Sequence, residues 1–277
     1  MIVCLELEEL WVKKNELLEI YNATRVYYEG LLNAKENEHI IKYLMDRGLT
    51  AEIIESSGIG FADIQANGLY NRMRQLNYSD EMLIKSGLFK YGQEGSLVDI
   101  FNNRIIIPII DLEENVVSFS GISVFGRQPV YLNLPNTEVF DGAKDFYGIN
   151  QISVNEPIMI CEGIFDVIYN NAIGIKNVIS TFGHEFTPYH AKTVHRLSNK
   201  ACICYDNDFW GQKMAHRAIE LLECEGVECL LVDLKSARYP AEYIRLFGRS
   251  EYVALLGKYV EGIDIERLIF KIIQWNA

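Results

Sequence analysis

Two acidic stretches each follow directly on an apolar run. Ala201-Cys202-Ile203-Cys204-Tyr205 gives way to Asp206-Asn207-Asp208, with Gly211 close behind, and the run from Pro157 to Cys161 gives way to Glu162-Gly163, with Asp166 four residues on. A helix starting near Gly163 would put Glu162 and Asp166 on one side of it. Crowded carboxylates repel one another by on the order of a few kcal/mol per close pair, so they need protons or cations. Hard oxygen ligands suit Mg²⁺ or Mn²⁺, and such ions support phosphoryl or nucleotidyl transfer. A single carboxylate at a strand–helix junction is most often a helix cap, so Asp206 or Asp208 alone carries little. Acids at the ends of two strands favour the metal reading.

The elements that would position these acids are legible as a rhythm. After about residue 150 the apolar runs PIMIC, NVIST, ACICY and VECLLVDL alternate with amphipathic stretches at about 164–173, 187–198 and 210–225. Strands this continuously apolar predict a parallel sheet covered on both faces, which binds ligands beyond the C-terminal strand ends. Upstream, residues about 5 to 46 have helical spacing with a glycine stop at Gly48. TAEIIESSGIGFA and SDEMLIKSGLF predict two short helices, capped by Thr50 and Ser79 and stopped by Gly58 and Gly87. The β-branched runs from NRIIIPII to QPVYLNL predict a small sheet, and residues about 241 to 277 predict two helices broken near Gly248.

Composition narrows the classes. The 277 residues predict about two domains, and no apolar run is long enough to span a bilayer. The N-terminus carries its acids before its lysines, the reverse of a secretory signal, so a cytoplasmic location with no membrane partner is expected. Cys4, Cys161, Cys202, Cys204, Cys224 and Cys229 form no zinc-ribbon pairs and read as reduced, buried thiols. With 26 basic and 38 acidic residues the net charge is −12, which argues against broad electrostatic gripping of nucleic acid. Any such role rests on a local patch or on metal ions.

In order along the chain, ICEGIFDVI, STFGHEFTPYHAKTVHRL and CYDNDFWGQKMAHRAIELLECEGVECLLVDL resemble the Toprim domain. Ahead of them, IKYLMDRGLTAEIIESSGIGFA resembles the helical lead-in of DnaG-type bacterial and phage primase catalytic cores. NRIIIPIIDLEENVVSFSG and VYLNLPNTEVFDGAKDFYGI resemble that core's N-terminal subdomain. The resemblance runs from about residue 38 to about 250. It implies an α/β fold: a Toprim-type parallel-sheet domain at 153–240 packed on an N-terminal α+β subdomain at 38–152, with helical segments at 1–37 and 241–277. It also implies Mg²⁺- or Mn²⁺-dependent synthesis of short RNA primers from ribonucleoside triphosphates on a single-stranded DNA template. By motif position Glu162, Asp206 and Asp208 would be catalytic, and Glu162, Asp166, Asp206 and Asp208 would hold metal. Arg104, Asn133, Lys144 and Lys213 would meet nucleotide and template. Toprim nucleases and topoisomerases, and a replication scaffold that keeps the fold without catalysis, are the alternatives.

The departures are specific. Where the family has D-P-D-E-Y the chain has Tyr239-Pro240-Ala241-Glu242-Tyr243, so two acids of a further metal position are missing. Ile122 stands where a groove arginine is usual, Val130 replaces a lysine, and Asp141-Gly142 replaces a frequent His-Lys pair. No zinc ribbon precedes the core, and little chain follows residue 250. A phage-like core is therefore expected, with a replicative helicase or a separate zinc-binding subunit as partner, in the host cytoplasm if phage-encoded.

Overall fold

The computed structural model describes residues 2–65, 67–124, 126 and 128–258, with residues 2–11 and 94 described by backbone alone. The chain divides into two units, Met1–Asp141 and Gly142–Ala277, and each is taken separately below.

The first unit begins with α1 (Ile2–Leu32). Leu17, Ile20, Tyr21, Thr24, Tyr28 and Leu32 are all buried and recur every three to four residues, so one stripe of the helix faces the core. A short 3₁₀ turn, Lys35–Asn37, separates α1 from α2 (Glu38–Asp46). This break within the expected 5–46 helix is fixed by Asn37, whose side-chain amide donates to the Leu31 carbonyl at 2.8 Å. In α3 (Ala51–Ser56) and α5 (Asp80–Lys85) both expected caps form: Thr50 accepts from the Ile53 N–H and Ser79 from the Met82 N–H. Gly58 and Gly87 follow at φ of +63° and +68°, the left-handed conformation that ends a helix at low cost in glycine.

β1 (Gly60–Ala62) precedes α4 (Gly68–Gln75), and β2 (Phe89–Tyr91) pairs with β3 (Leu97–Asp99) as a two-stranded ribbon. β4 (Arg104–Ile110), β5 (Val116–Ser123) and β6 (Tyr131–Asn133) join β1 in an antiparallel sheet of order β1-β4-β5-β6. α1 packs on β1 and β5. Leu17, Ile20, Tyr21 and Tyr28 share a core with Phe101, Ile106 and Phe119. The expected 1–37 segment is therefore not a separate appendage: α1 supplies part of the wall of the first unit.

The second unit is the expected strand–helix alternation: β7 (Ile158–Cys161), α6 (Ile164–Ala172), β8 (Val178–Ser180), α7 (Pro188–Leu197), β9 (Lys200–Cys204), α8 (Phe209–Cys224) and β10 (Glu228–Leu231). Its four strands pair in parallel in the order β10-β9-β7-β8. α9 (Pro240–Phe247) and α10 (Arg249–Leu256) follow, broken at Gly248 as expected. The rest of the expected C-terminal helical segment, 259–277, lies outside the described residues.

Two expectations need correction. β10 is an edge strand with alternate residues exposed, Leu230 among them, so its apolar run does not mean burial on both faces. Cys161, Cys202 and Cys204 are buried free thiols, but Cys229 is half-buried and Cys224 exposed, because they sit on the outer strand and at the end of α8. The Cys4 side chain lies outside the described residues. No described helix is long and apolar enough to cross a membrane.

Candidate functional site

The order β10-β9-β7-β8 has one reversal. From β7 the chain crosses to β8 on one side and then returns to β9 on the other. Ligands of open parallel sheets bind at such a reversal, beyond the C-terminal strand ends. The register pairs Cys161 with Cys204, so the residues leaving β7 and β9 emerge side by side. Glu162 leaves β7 directly, and Asp206 follows Tyr205 out of β9. The Asp206 N–H donates to Glu162 Oε2 at 3.4 Å, and Ser180, ending β8, donates its hydroxyl to the Glu162 carbonyl at 2.9 Å.

Electrostatics follow from this crowding. Burial raises the Glu162 pKa, with Asp208 adding to it, against the Asp206 N–H and the Arg238 guanidinium. Asp206 is pushed up to about 6, first by burial and then by Glu162, while Arg238 opposes. Asp166 is 8% exposed and is pushed up to about 7 by burial, then by Asp206 and Glu162. Groups of this kind hold their negative charge reluctantly and gain from a cation.

Donor directions separate what charge brings together. Asp166 Oδ2 accepts the Gly163 N–H at 3.1 Å, back toward the start of α6. Asp208 caps α8, its Oδ1 accepting from the Trp210 and Gly211 N–H groups at 3.0 and 2.9 Å, which with Arg238 holds its pKa below the ordinary carboxylate value. The ordinary cap reading thus applies to Asp208, and the expected convergence of four carboxylates as one ligand set is not the arrangement seen. Among the described residues no three His, Cys, Asp or Glu side chains group as a metal-holding set. Helix-terminal N–H groups compete successfully for two of the four acids. The donor chemistry nevertheless fits a hard divalent ion at Glu162 and Asp206, with Asp208 beside them.

Gly211 sets the spacing of the acidic loop. A Cβ there would fall on the Asp206 carbonyl and within 3.0 Å of Asp206 Cβ. The first turn of α8 therefore lies directly against the backbone that carries Asp206.

The cationic candidates are dispersed. Lys213 is exposed on α8 with Nζ 5.3 Å from the centre of the Trp210 ring, and Lys144, also exposed, lies 5.3 Å from that of Tyr189. Asn133 Oδ1 accepts the Ser120 hydroxyl at 2.7 Å on the neighbouring strand. Arg104, expected from the resemblance to meet nucleotide and template, is 3% exposed. Its guanidinium donates to the Gly121, Val130 and Pro129 carbonyls at 3.3, 3.1 and 2.7 Å, so it braces the β5–β6 segment from within.

Sequence reasoning missed Arg238. Its Nη2 lies 2.7 Å from Asp208 Oδ2 and its Nε 3.6 Å from Asp206 Oδ2. The available signal was a basic residue immediately before the segment that has lost its two acids.

A parallel sheet with an acid at each of two adjacent strand ends and a D-x-D turn capping the next helix defines a Toprim-type domain. Residues 159–244 match the family described as Toprim-like, and residues 27–153 match the DNA primase catalytic core, N-terminal domain. The DNA primase of Staphylococcus aureus (strain COL) is 29% identical over 250 residues, covering 88% of this chain and 41% of that relative. The crystal structure of a DNA primase domain from Pseudomonas aeruginosa superposes with a TM-score of 0.79 at 28% identity, over 88% of this chain and 78% of that one. The zinc-binding and RNA polymerase domains of the Aquifex aeolicus primase superpose with a TM-score of 0.81 at 25% identity, over 89% of this chain and 61% of that one. Between them the two matches give the chain the N-terminal domain of a DNA primase catalytic core followed by a Toprim-like domain. The chain spans about two fifths of the length of the curated relatives it matches.

Proposed function

We propose that the protein is a primase core that joins ribonucleotides into short RNA primers on single-stranded DNA by metal-dependent nucleotidyl transfer. The observation that carries this is the Glu162–Asp206 pair at the reversal point of the parallel sheet, joined by the Asp206 N–H and with the proton affinity of each carboxylate raised. The names of the relatives give the chemistry its class.

In this reading Glu162 and Asp206 hold Mg²⁺ or Mn²⁺, with Asp208 at the margin. A bound divalent ion supplies the positive charge that activates an attacking hydroxyl and neutralises a leaving pyrophosphate. Asp208 fixes the start of α8, and so the direction of the acidic loop, through its two backbone hydrogen bonds. Asp166, pushed up to about 7, holds or releases a proton near neutrality behind the pair and so adjusts its charge. Lys213 and Lys144, each beside an aromatic ring, offer ammonium groups to nucleotide phosphates. Asn133, held by the Ser120 hydroxyl, would meet the template, and Arg104 shapes the β5–β6 segment from within. A replicative helicase or a zinc-binding subunit is the expected partner.

The test is incubation with single-stranded DNA, labelled ribonucleotides and Mg²⁺ or Mn²⁺. Labelled short RNA is the expected product. Shortened DNA would instead make the protein a Toprim nuclease, and neither product would make it a scaffold.

A further inference from the structure

We propose that Arg238 is a tethered cation that occupies the Asp206–Asp208 pair when no divalent ion is bound, so that metal binding at these acids must displace a guanidinium. The inference rests on the reading of Glu162 and Asp206 as the metal-holding pair and adds a competitor built into the same chain.

The placement of Arg238 is fixed from both its backbone and its side chain. Its N–H donates to Glu242 Oε2 at 2.7 Å, and its carbonyl accepts the Asn207 N–H at 2.6 Å. The Asn207 side-chain amide donates to the Lys235 carbonyl at 2.7 Å, so the 235–238 segment is latched across the acidic turn. From that anchored backbone the guanidinium reaches both carboxylates, 2.7 Å to Asp208 and 3.6 Å to Asp206. Oδ2 is the oxygen engaged on each aspartate. On Asp208 it is the one oxygen that the helix cap does not use.

Charge gives this placement its meaning. Where the family carries two more acids the chain has Tyr239 and Ala241, with Arg238 immediately before them. In this chain a positive charge stands within ion-pair distance of the acids that remain. The Arg238 side chain is 60% exposed, so water can take the guanidinium when an ion displaces it. An exposed pair of this kind is worth little, and the competition is correspondingly modest rather than prohibitive.

The test uses the whole chain and Mn²⁺ alone, titrated by calorimetry. Arg238→Gln should bind Mn²⁺ roughly threefold or more tighter than the parent, the scale of one exposed ion pair, and Arg238→Lys should lie between. The backbone contacts of residue 238 do not depend on its side chain, so both variants keep the latch. Asp206→Asn should lose Mn²⁺ binding with or without Arg238. A second measurement needs no substitution: the ¹⁵Nε resonance of Arg238 should shift as Mg²⁺ is added. If Asp206→Asn abolishes binding while Arg238→Gln leaves the affinity unchanged or weaker, or if the Nε resonance stays fixed at saturating Mg²⁺, Arg238 is no competitor although the metal site stands. If Asp206→Asn leaves the affinity unchanged, the metal-site reading fails and this inference falls with it.

Discussion

Asp99, in the first unit, and Asp206, in the second, are each pushed up to a pKa of about 6, and they arrive there by different routes. Asp99 ends β3 and caps α4, its two oxygens accepting the Leu69 and Tyr70 N–H groups at 2.9 Å each. Burial raises its pKa, the two N–H groups pull it down, and Asp63 adds a smaller upward push. Burial also raises Asp206, but there the next largest push comes from Glu162, a second carboxylate at the neighbouring strand end, and the opposing pull comes from a guanidinium. Asp99 is an acid whose oxygens are already used by the fold. Asp206 is an acid whose neighbours leave it wanting a cation. The same proton affinity therefore marks a cap in one unit and a candidate site in the other, and the identity of the second-largest contributor separates them.

The sharpest test of the contrast is charge removal at each position. Asp206→Asn should weaken Mn²⁺ binding by about a hundredfold or more, whereas Asp99→Asn should leave it unchanged. Calorimetry on both variants decides, and equal losses would erase the distinction. Next in size is Asp166→Asn. The Asp166 carboxyl is raised from 3.8 to about 7 in the folded chain. The folded state therefore binds the proton more tightly, and stability falls as pH rises from about 4 to 7. In metal-free buffer the asparagine variant should gain about 1–3 kcal/mol over the parent at pH 8 and nothing near pH 4, read from denaturant midpoints at the two pH values. A gain independent of pH would mean that Asp166 binds its proton equally well in the folded and unfolded chain, so that burial does not raise it.

A smaller effect is expected when pH is changed without mutation. Mn²⁺ needs the ionised form of Asp206, so its affinity should fall about tenfold for each pH unit below 6 and level off above about 7. A flat profile between pH 5 and 7 would detach the metal from Asp206. The smallest change is expected at the cap. Asp99→Ala strips two hydrogen bonds from the start of α4 and should cost about 1 kcal/mol of stability, with Mn²⁺ affinity untouched. A cost at Asp99 accompanied by lost metal binding would make the two acids one functional system.

What the sequence disclosed, and what it concealed, divides along the reach of the interactions. β7 and β9 could be read because four or five consecutive apolar residues between turns leave few other choices. The caps at Thr50 and Ser79 could be read because each partner lies three residues away. β1, β2 and β3, at three residues each, are too short to show a period. Arg104 was misplaced because its three carbonyl partners lie 17 to 26 residues further on, and a burial made by a distant loop leaves no local trace. Within the site, the positions of Glu162 and Asp206 followed from strand ends, while the pairing of Arg238 with Asp208 spans 30 residues and depends on how the 235–238 segment returns. The motif letters located the acids. They could not show which acids the helix termini had already claimed.

Asn207 holds the middle place in Asp206-Asn207-Asp208, and by motif alone any residue would do there. Its backbone and its side chain both reach across to the 235–238 segment, so it works as a clasp whose two hooks close on the same strip of chain. Undone, the clasp would leave both aspartates in the sequence and free the turn that aims them. Asn207→Ala would keep both acids of the motif and lose the side-chain hook to Lys235, a difference that no search for D-x-D would register.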